Sequence, residues 1–135
     1  MRVLALDYGS ARCGCALSDP TGTLATPIDP IERPATRRGF ARVTDLVRER
    51  EVERVVVGLP LGLSGADTAQ TRETRAFAAR LSERLGGRVE VVLHDERFTT
   101  RMAERFGGEG DEDSRAAAHL LDAWLASQAP RRDLS

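Results

Sequence analysis

The period of the apolar pattern changes once along this chain, and that change limits the folds open to it. The first part holds short apolar runs with short links. Val3 to Leu6 ends in Asp7-Tyr8-Gly9-Ser10, and Cys13 to Leu17 ends in Ser18-Asp19-Pro20. Such runs, punctuated by glycine, proline and aspartate, read as strands joined by turns. Thr23 to Ile31 follows as a third strand. Its Pro27 and Pro30 cannot donate to a central ladder, so the pattern predicts an edge strand.

From Thr36 to Arg50 the spacing becomes helical, with Phe40, Val43, Leu46 and Val47 on one stripe. Val52 to Leu59, with its Val55-Val56-Val57 core, reads as a buried parallel strand. The loop Leu61-Gly62-Leu63-Ser64-Gly65 precedes a helix over about 67–85, which Gly86-Gly87 ends. Val89 to Leu93 is a fifth strand, and a short helix is expected over 100–106. A last helix is expected from Asp113 or Ser114 to Ser127, its apolar face formed by Ala117, Leu120, Leu121, Trp124 and Leu125. The order β-β-β-α-β-α-β-α-α predicts an α/β fold: an antiparallel meander extended by parallel strands through right-handed crossovers. The expected organisation is one domain over residues 1–129 with a frayed tail over 130–135.

Composition excludes some functions. With 41% hydrophobic and 30% charged residues, the chain reads as a globular protein without a bilayer-spanning run. The first apolar run stops at Asp7, too short for a signal peptide, so a cytoplasmic location is expected. Cys13 and Cys15 are two apart on a strand, hence on one face, and read as small core residues. Net charge is −1 and every basic residue is arginine. Any affinity for nucleic acid must therefore come from local patches, where guanidinium groups suit phosphates.

The chemistry lies in where the acids fall. Asp7 ends a strand expected to be central, Asp95 and Glu96 end the fifth, and Asp111 and Asp113 stand at the mouth of the last helix. Ligands of open α/β sheets gather at such strand ends. Acids converging there would repel one another, and a hard divalent cation such as Mg²⁺ or Mn²⁺ would relieve that repulsion. Two such ions can assist phosphodiester hydrolysis without a protein nucleophile. Ordinary structural roles compete: Asp113 as a helix cap, Asp111 and Glu112 as partners of a helix dipole, Asp95 as a turn residue. Spacing does not choose among these acids. Asp7 is the hardest to explain structurally.

Around them stand candidate nucleic-acid contacts. Gly9, Ser10 and Arg12 follow the first strand, Leu61 lies in a glycine-punctuated loop, and Arg72 lies on the second helix with Arg75 nearby. Arg97, Arg101 and Arg105 are spaced by four. The competing reading of these arginines is a solvated helix face. His94 adjoins the acids as a possible proton shuttle, and His119 reads as packing. Asp7-Tyr8-Gly9-Ser10 also resembles the first phosphate motif of actin-like ATPases, which need two such domains where this chain has room for one.

These pieces together resemble the YqgF (RuvX) family of RNase H-like proteins, described as Holliday junction resolvases and as pre-16S rRNA processing nucleases. The matching segments are Leu4-Ala5-Leu6-Asp7-Tyr8-Gly9-Ser10, Ala16-Leu17-Ser18-Asp19, Val56-Val57-Gly58-Leu59-Pro60-Leu61, Phe77-Ala78-Ala79-Arg80-Leu81, Asp95-Glu96-Arg97-Phe98-Thr99-Thr100, and Asp113-Ser114 through Leu125. They occur in order across nearly the whole chain. The resemblance implies an RNase H-like fold with a five-stranded mixed sheet flanked by helices. It implies a three-acid catalytic and metal-binding site of Asp7, Glu96 and Asp113, preferred over Asp95 and Asp111, and Mg²⁺ or Mn²⁺ as cofactor. The implied role is maturation of the 16S rRNA 5′ end. Resolution of DNA four-way junctions, which would call for a homodimer, is the alternative. A non-catalytic nucleic-acid-binding assembly factor is a third reading, which the intact acids disfavour.

Overall fold

A computed structural model describes residues 1–62, 64–96 and 112–128. The expected helix over 100–106, the tail over 130–135, and Leu63, Arg97, Arg101, Arg105 and Asp111 lie outside the described residues.

Five strands and three helices follow in the order β1 (Val3–Asp7), β2 (Arg12–Ser18), β3 (Ala25–Glu32), α1 (Arg37–Glu49), β4 (Arg54–Leu59), α2 (Ala69–Leu85), β5 (Glu90–Asp95) and α3 (Glu112–Gln128). They form one sheet of order β3-β2-β1-β4-β5. β1 pairs antiparallel with β2, and β2 with β3, while β4 runs parallel to both β1 and β5. The meander with parallel additions is thus as expected. Pro27 and Pro30 do sit on an edge strand, and Asp7 ends the central one. β5 continues beyond the expected Leu93 to Asp95, because pairing with Gly58 and Leu59 carries the ladder on past the apolar run.

Alternation along β1 sorts its side chains between two cores. Leu4 and Leu6 pack with Val55, Val57, Cys13 and Cys15 beneath α1 and α2. Val3 and Ala5 pack with Val56 and with Ala117, Leu121 and Trp124 of α3 on the other face. Cys13 and Cys15 are buried free thiols, which is the core role expected of them.

Local chemistry fixes the helix starts. Thr36 caps α1 by accepting the Gly39 N–H at 3.1 Å. Thr68 and Thr71 form a reciprocal capping box on α2, so that helix begins two residues after the expected Asp67. Gly86 ends α2 in the left-handed conformation, with φ 62°. All three helices run from the strand end that carries Asp7 toward the opposite end, so their N-termini gather on the Asp7 side. Among the described residues no helix is long and apolar enough to cross a membrane.

Candidate active site

Alternation places Asp7 on the α3 face of the sheet, in phase with Val3 and Ala5. The same parity puts Gly14, which pairs with Asp7, and Gly58 of β4 on that face beside it. Neither glycine has room for a side chain. A Cβ on Gly14 would collide with the backbone carbonyl of Asp113, and one on Gly58 would collide with the Glu96 carboxylate. Two glycines inside strands thus clear the ground on either side of Asp7. One admits the first turn of α3, the other admits Glu96.

Glu96 follows directly on β5, in phase with Val92, which packs on the α3 side. Its carboxyl hydrogen-bonds that of Asp7. Burial, then the Asp7 charge and that hydrogen bond, then the Asp95 charge push Glu96 up to about 7. Asp7 is also raised. Burial is the main cause and the Asp113 charge adds to it, while the bond from Glu96 works against both. Below about pH 7 the pair holds one proton, with Glu96 donating and Asp7 accepting.

Asp113 is held differently. It lies in the first turn of α3, half-exposed, with Arg12 Nε 3.6 Å from its Oδ2. The next residue, Ser114, is fully buried, and its Oγ accepts the Cys15 N–H at 3.3 Å. That amide lies where the β2–β3 register shifts between Cys13 and Cys15. The irregularity and the Gly14 gap together dock α3 on β2 and bring Asp113 near enough for its charge to act on Asp7.

Among the described residues no three His, Cys, Asp or Glu side chains are gathered tightly enough to hold a metal ion. Asp7 and Glu96 form the close pair, and Asp113 stands at the rim.

Comparison with known proteins places this arrangement. A family model described as "RuvX: Holliday junction resolvase" matches residues 1–127. The chain belongs to the RuvX family. A protein of Maridesulfovibrio salexigens named "Putative pre-16S rRNA nuclease" is 37% identical over 135 residues, spanning 93% of this chain and 98% of its own. One of the same name from Mycobacteroides abscessus is 40% identical over 134 residues, spanning 92% and 80%. Among solved structures, Thermus thermophilus RuvC in complex with a Holliday junction substrate superposes with a TM-score of 0.63 at 14% identity, over 96% of this chain and 97% of that one. The fowlpox virus Holliday junction resolvase superposes with a TM-score of 0.57 at 13% identity, over 94% and 99%. The fold is therefore the RNase H-like fold of these resolvases. The RuvX family is one of nucleases, and this chain is a nuclease by descent.

The other candidate residues of this RuvX protein divide. Gly9 closes a turn, since a Cβ there would stand 2.7 Å from the Arg12 carbonyl oxygen. Ser10 and Arg12 are exposed beside Asp7, with Arg12 engaged by Asp113. Leu61 is half-buried in a loop fastened by the Thr71 hydroxyl, which donates to the Pro60 carbonyl at 2.6 Å. Arg72 is exposed on α2, whereas Arg75 is held by both oxygens of Asp67 at 3.1 and 3.2 Å. Asp95 contributes charge to Glu96. His94 has a buried Nε2 without a hydrogen-bond partner among the described residues, and burial lowers its pKa. Gly14, Gly58 and Ser114 carry the placement of the acids. The two glycines were visible as glycines interrupting strand runs, a known mark of close approach.

Proposed function

We propose that this RuvX chain is a divalent-metal-dependent nuclease of structured nucleic acid that matures the 5′ end of pre-16S rRNA in the cytoplasm. The observation that carries the reading is the half-buried, hydrogen-bonded pair of Asp7 and Glu96. A half-buried pair of hard oxygen ligands that readily holds a proton suits a Mg²⁺ or Mn²⁺ ion, which would take that proton's place. Asp7 and Glu96 would hold it, with Asp113 completing the set from the rim of α3. The bound ion supplies Lewis-acid stabilisation of charge on the phosphodiester and activation of water.

The chain's own residues do the rest. Partial burial of Asp7 and Glu96 limits the water around their carboxylates. Arg12 holds Asp113 at the rim and adds positive charge beside the acids. Gly9 keeps the turn after β1 low, so that a backbone can approach Asp7. The RNA assignment follows the names of relatives at 37% and 40% identity.

The family description supports a second reading, resolution of four-way DNA junctions by a homodimer. The test is cleavage of labelled pre-16S rRNA 5′-leader RNA, single-stranded DNA and four-way junctions in Mn²⁺, Mg²⁺ or EDTA, by wild type and Asp7→Asn. The expected result is metal-dependent cutting of the RNA by wild type alone. Symmetric cutting of junctions only, by a dimer, would favour the second reading. Equal cutting by Asp7→Asn would end both, and binding without any cutting would make the chain an assembly factor.

A further inference from the structure

The arginines of this chain fall into two populations. Arg2, Arg12, Arg48, Arg54 and Arg75 each face a carboxylate within 4.0 Å. Several others on and around α1 and α2 do not, among the described residues. A cleft of about 690 Å³ between these helices is lined by Arg37, Arg80 and Arg84, with Phe40 and Thr44, and Glu83 is its one acid among the described residues. No ion pair neutralises these three guanidinium groups among the described residues. On the other flank of α1, Arg33, Arg38 and Arg42 line a second cleft of about 660 Å³, also without ion pairs among the described residues.

The first cleft is also built. Arg80 packs its guanidinium 3.9 Å from the Phe40 ring centroid and donates from Nη1 to the Ala35 carbonyl at 2.9 Å. Phe40 is buried edge-on against Phe77, which stacks on Tyr8, the neighbour of Asp7. Of three exposed arginines, Arg80 is therefore the one held on an aromatic support, with donors to spare. A fixed planar fork loses less freedom on meeting a phosphate than a freely moving side chain. Both clefts border α1, whose N-terminus lies at the strand end that carries Asp7 but on the opposite face of the sheet from the acids.

We propose that the α1–α2 cleft is a second nucleic-acid-binding site, where Arg37, Arg80 and Arg84 take backbone phosphates of the substrate away from the scissile bond. The inference rests on the nuclease reading for its ligand and adds a surface remote from the acids. In a protein of net charge −1 it supplies the local positive field that net charge does not. The site reads phosphate, not base, so it sets affinity and orientation but not sequence.

The test uses the full chain with Arg37→Ala and Arg84→Ala combined, since both are exposed and neither supports the core. The control combines Arg48→Ala with Arg75→Ala, which removes the same formal charge from ion-paired positions. Binding of a fluorescent RNA hairpin is measured in EDTA over a range of salt, beside metal-dependent cleavage of the hairpin and of bis(p-nitrophenyl) phosphate, which is too small to reach the cleft. The cleft variant should bind the hairpin roughly tenfold more weakly, and its slope of log affinity against log salt should shrink by about 1.4 to 1.8. Its rate on the small phosphodiester should match wild type, and the control should bind as wild type does. Wild-type affinity and slope in the cleft variant, or an equal loss in the control, overturns the proposal. Tight binding by wild type without cleavage of any nucleic acid would instead count against the nuclease reading and leave the cleft standing.

Discussion

Asp7 and Glu96 form one kind of acid site, and Asp113 forms another. The first two are anchored on or beside parallel strands of the sheet, and they meet across the gap that Gly58 leaves. Asp113 rides on the first turn of a helix, half-exposed, and is balanced by an arginine. Burial makes the pair electrostatically expensive and therefore responsive to a cation. Exposure makes Asp113 cheap to keep and easy to move. The sheet thus supplies a fixed pair, and α3 delivers a third acid whose position depends on how the helix docks.

The largest effects should separate the two kinds of acid. Asp7→Asn and Glu96→Gln should each lower kcat/KM for nucleic-acid cleavage on the order of 10³-fold or more. Neither should lower the Tm in EDTA, because each removes a half-buried ionisable group whose charge is disfavoured there. Asp7→Glu should be as inactive as Asp7→Asn, since the α3 backbone and Glu96 fill the gaps that Gly14 and Gly58 leave beside it, whereas Asp113→Glu should keep at least roughly a tenth of wild-type activity. Equal tolerance at both positions would erase the distinction.

The two glycines sharpen it further. Gly14→Ala drives a methyl into backbone of α3, so it should cost about 1–3 kcal/mol in denaturant unfolding as well as activity. Gly58→Ala meets the Glu96 side chain first, from its carboxyl back to Cγ, and no backbone among its nearest atoms, so it should lower cleavage while leaving most of the stability intact. If Gly58→Ala destabilised the fold more than Gly14→Ala, the account of what each gap admits would be wrong.

A smaller effect is one of pH. Glu96 titrates near 4.5 when unfolded and at about 7 when folded, so between those values the native state holds the extra proton. Stability in EDTA should therefore be fully present below about pH 4.5 at this site and be lost as pH rises toward 7. Thermal melts of wild type against Glu96→Gln isolate the contribution, which the variant should lack. Adding Mn²⁺ should restore stability at pH 8 and do little at pH 5. The smallest effect is expected at Arg12. Its ion pair with Asp113 is exposed, so Arg12→Ala should change stability by less than about 1 kcal/mol.

Most of the architecture was legible in the residues. Val3 to Leu6 and Val55 to Val57 announced buried strands, and Pro27 and Pro30 announced an edge. Helix spacing from Phe40 to Val47 gave α1 its inward stripe. The ends were less legible, because pairing and capping set them: Asp95 joins β5 through its partner Leu59, and the Thr68–Thr71 box moves the start of α2. The site was legible as a list of acids but not as a geometry. Nothing local tells Asp95 from Glu96. The choice depends on strand parity, which turns Glu96 toward α3, in phase with Val92. Gly14 and Gly58 were in view as strand glycines. What they make room for became visible only once β1, β2, β4 and α3 were assembled.

The central claim is that Asp7 and Glu96 share a proton where a metal ion would sit. Calorimetric titration of the intact protein with Mn²⁺ near pH 6, in buffers of different ionisation enthalpy, tests it most directly. The expected result is saturable binding by wild type with release of about one proton per ion, and binding at least roughly tenfold weaker for Asp7→Asn, without that release. Binding by Asp7→Asn as tight as wild type, or binding by wild type that frees no proton, would contradict it.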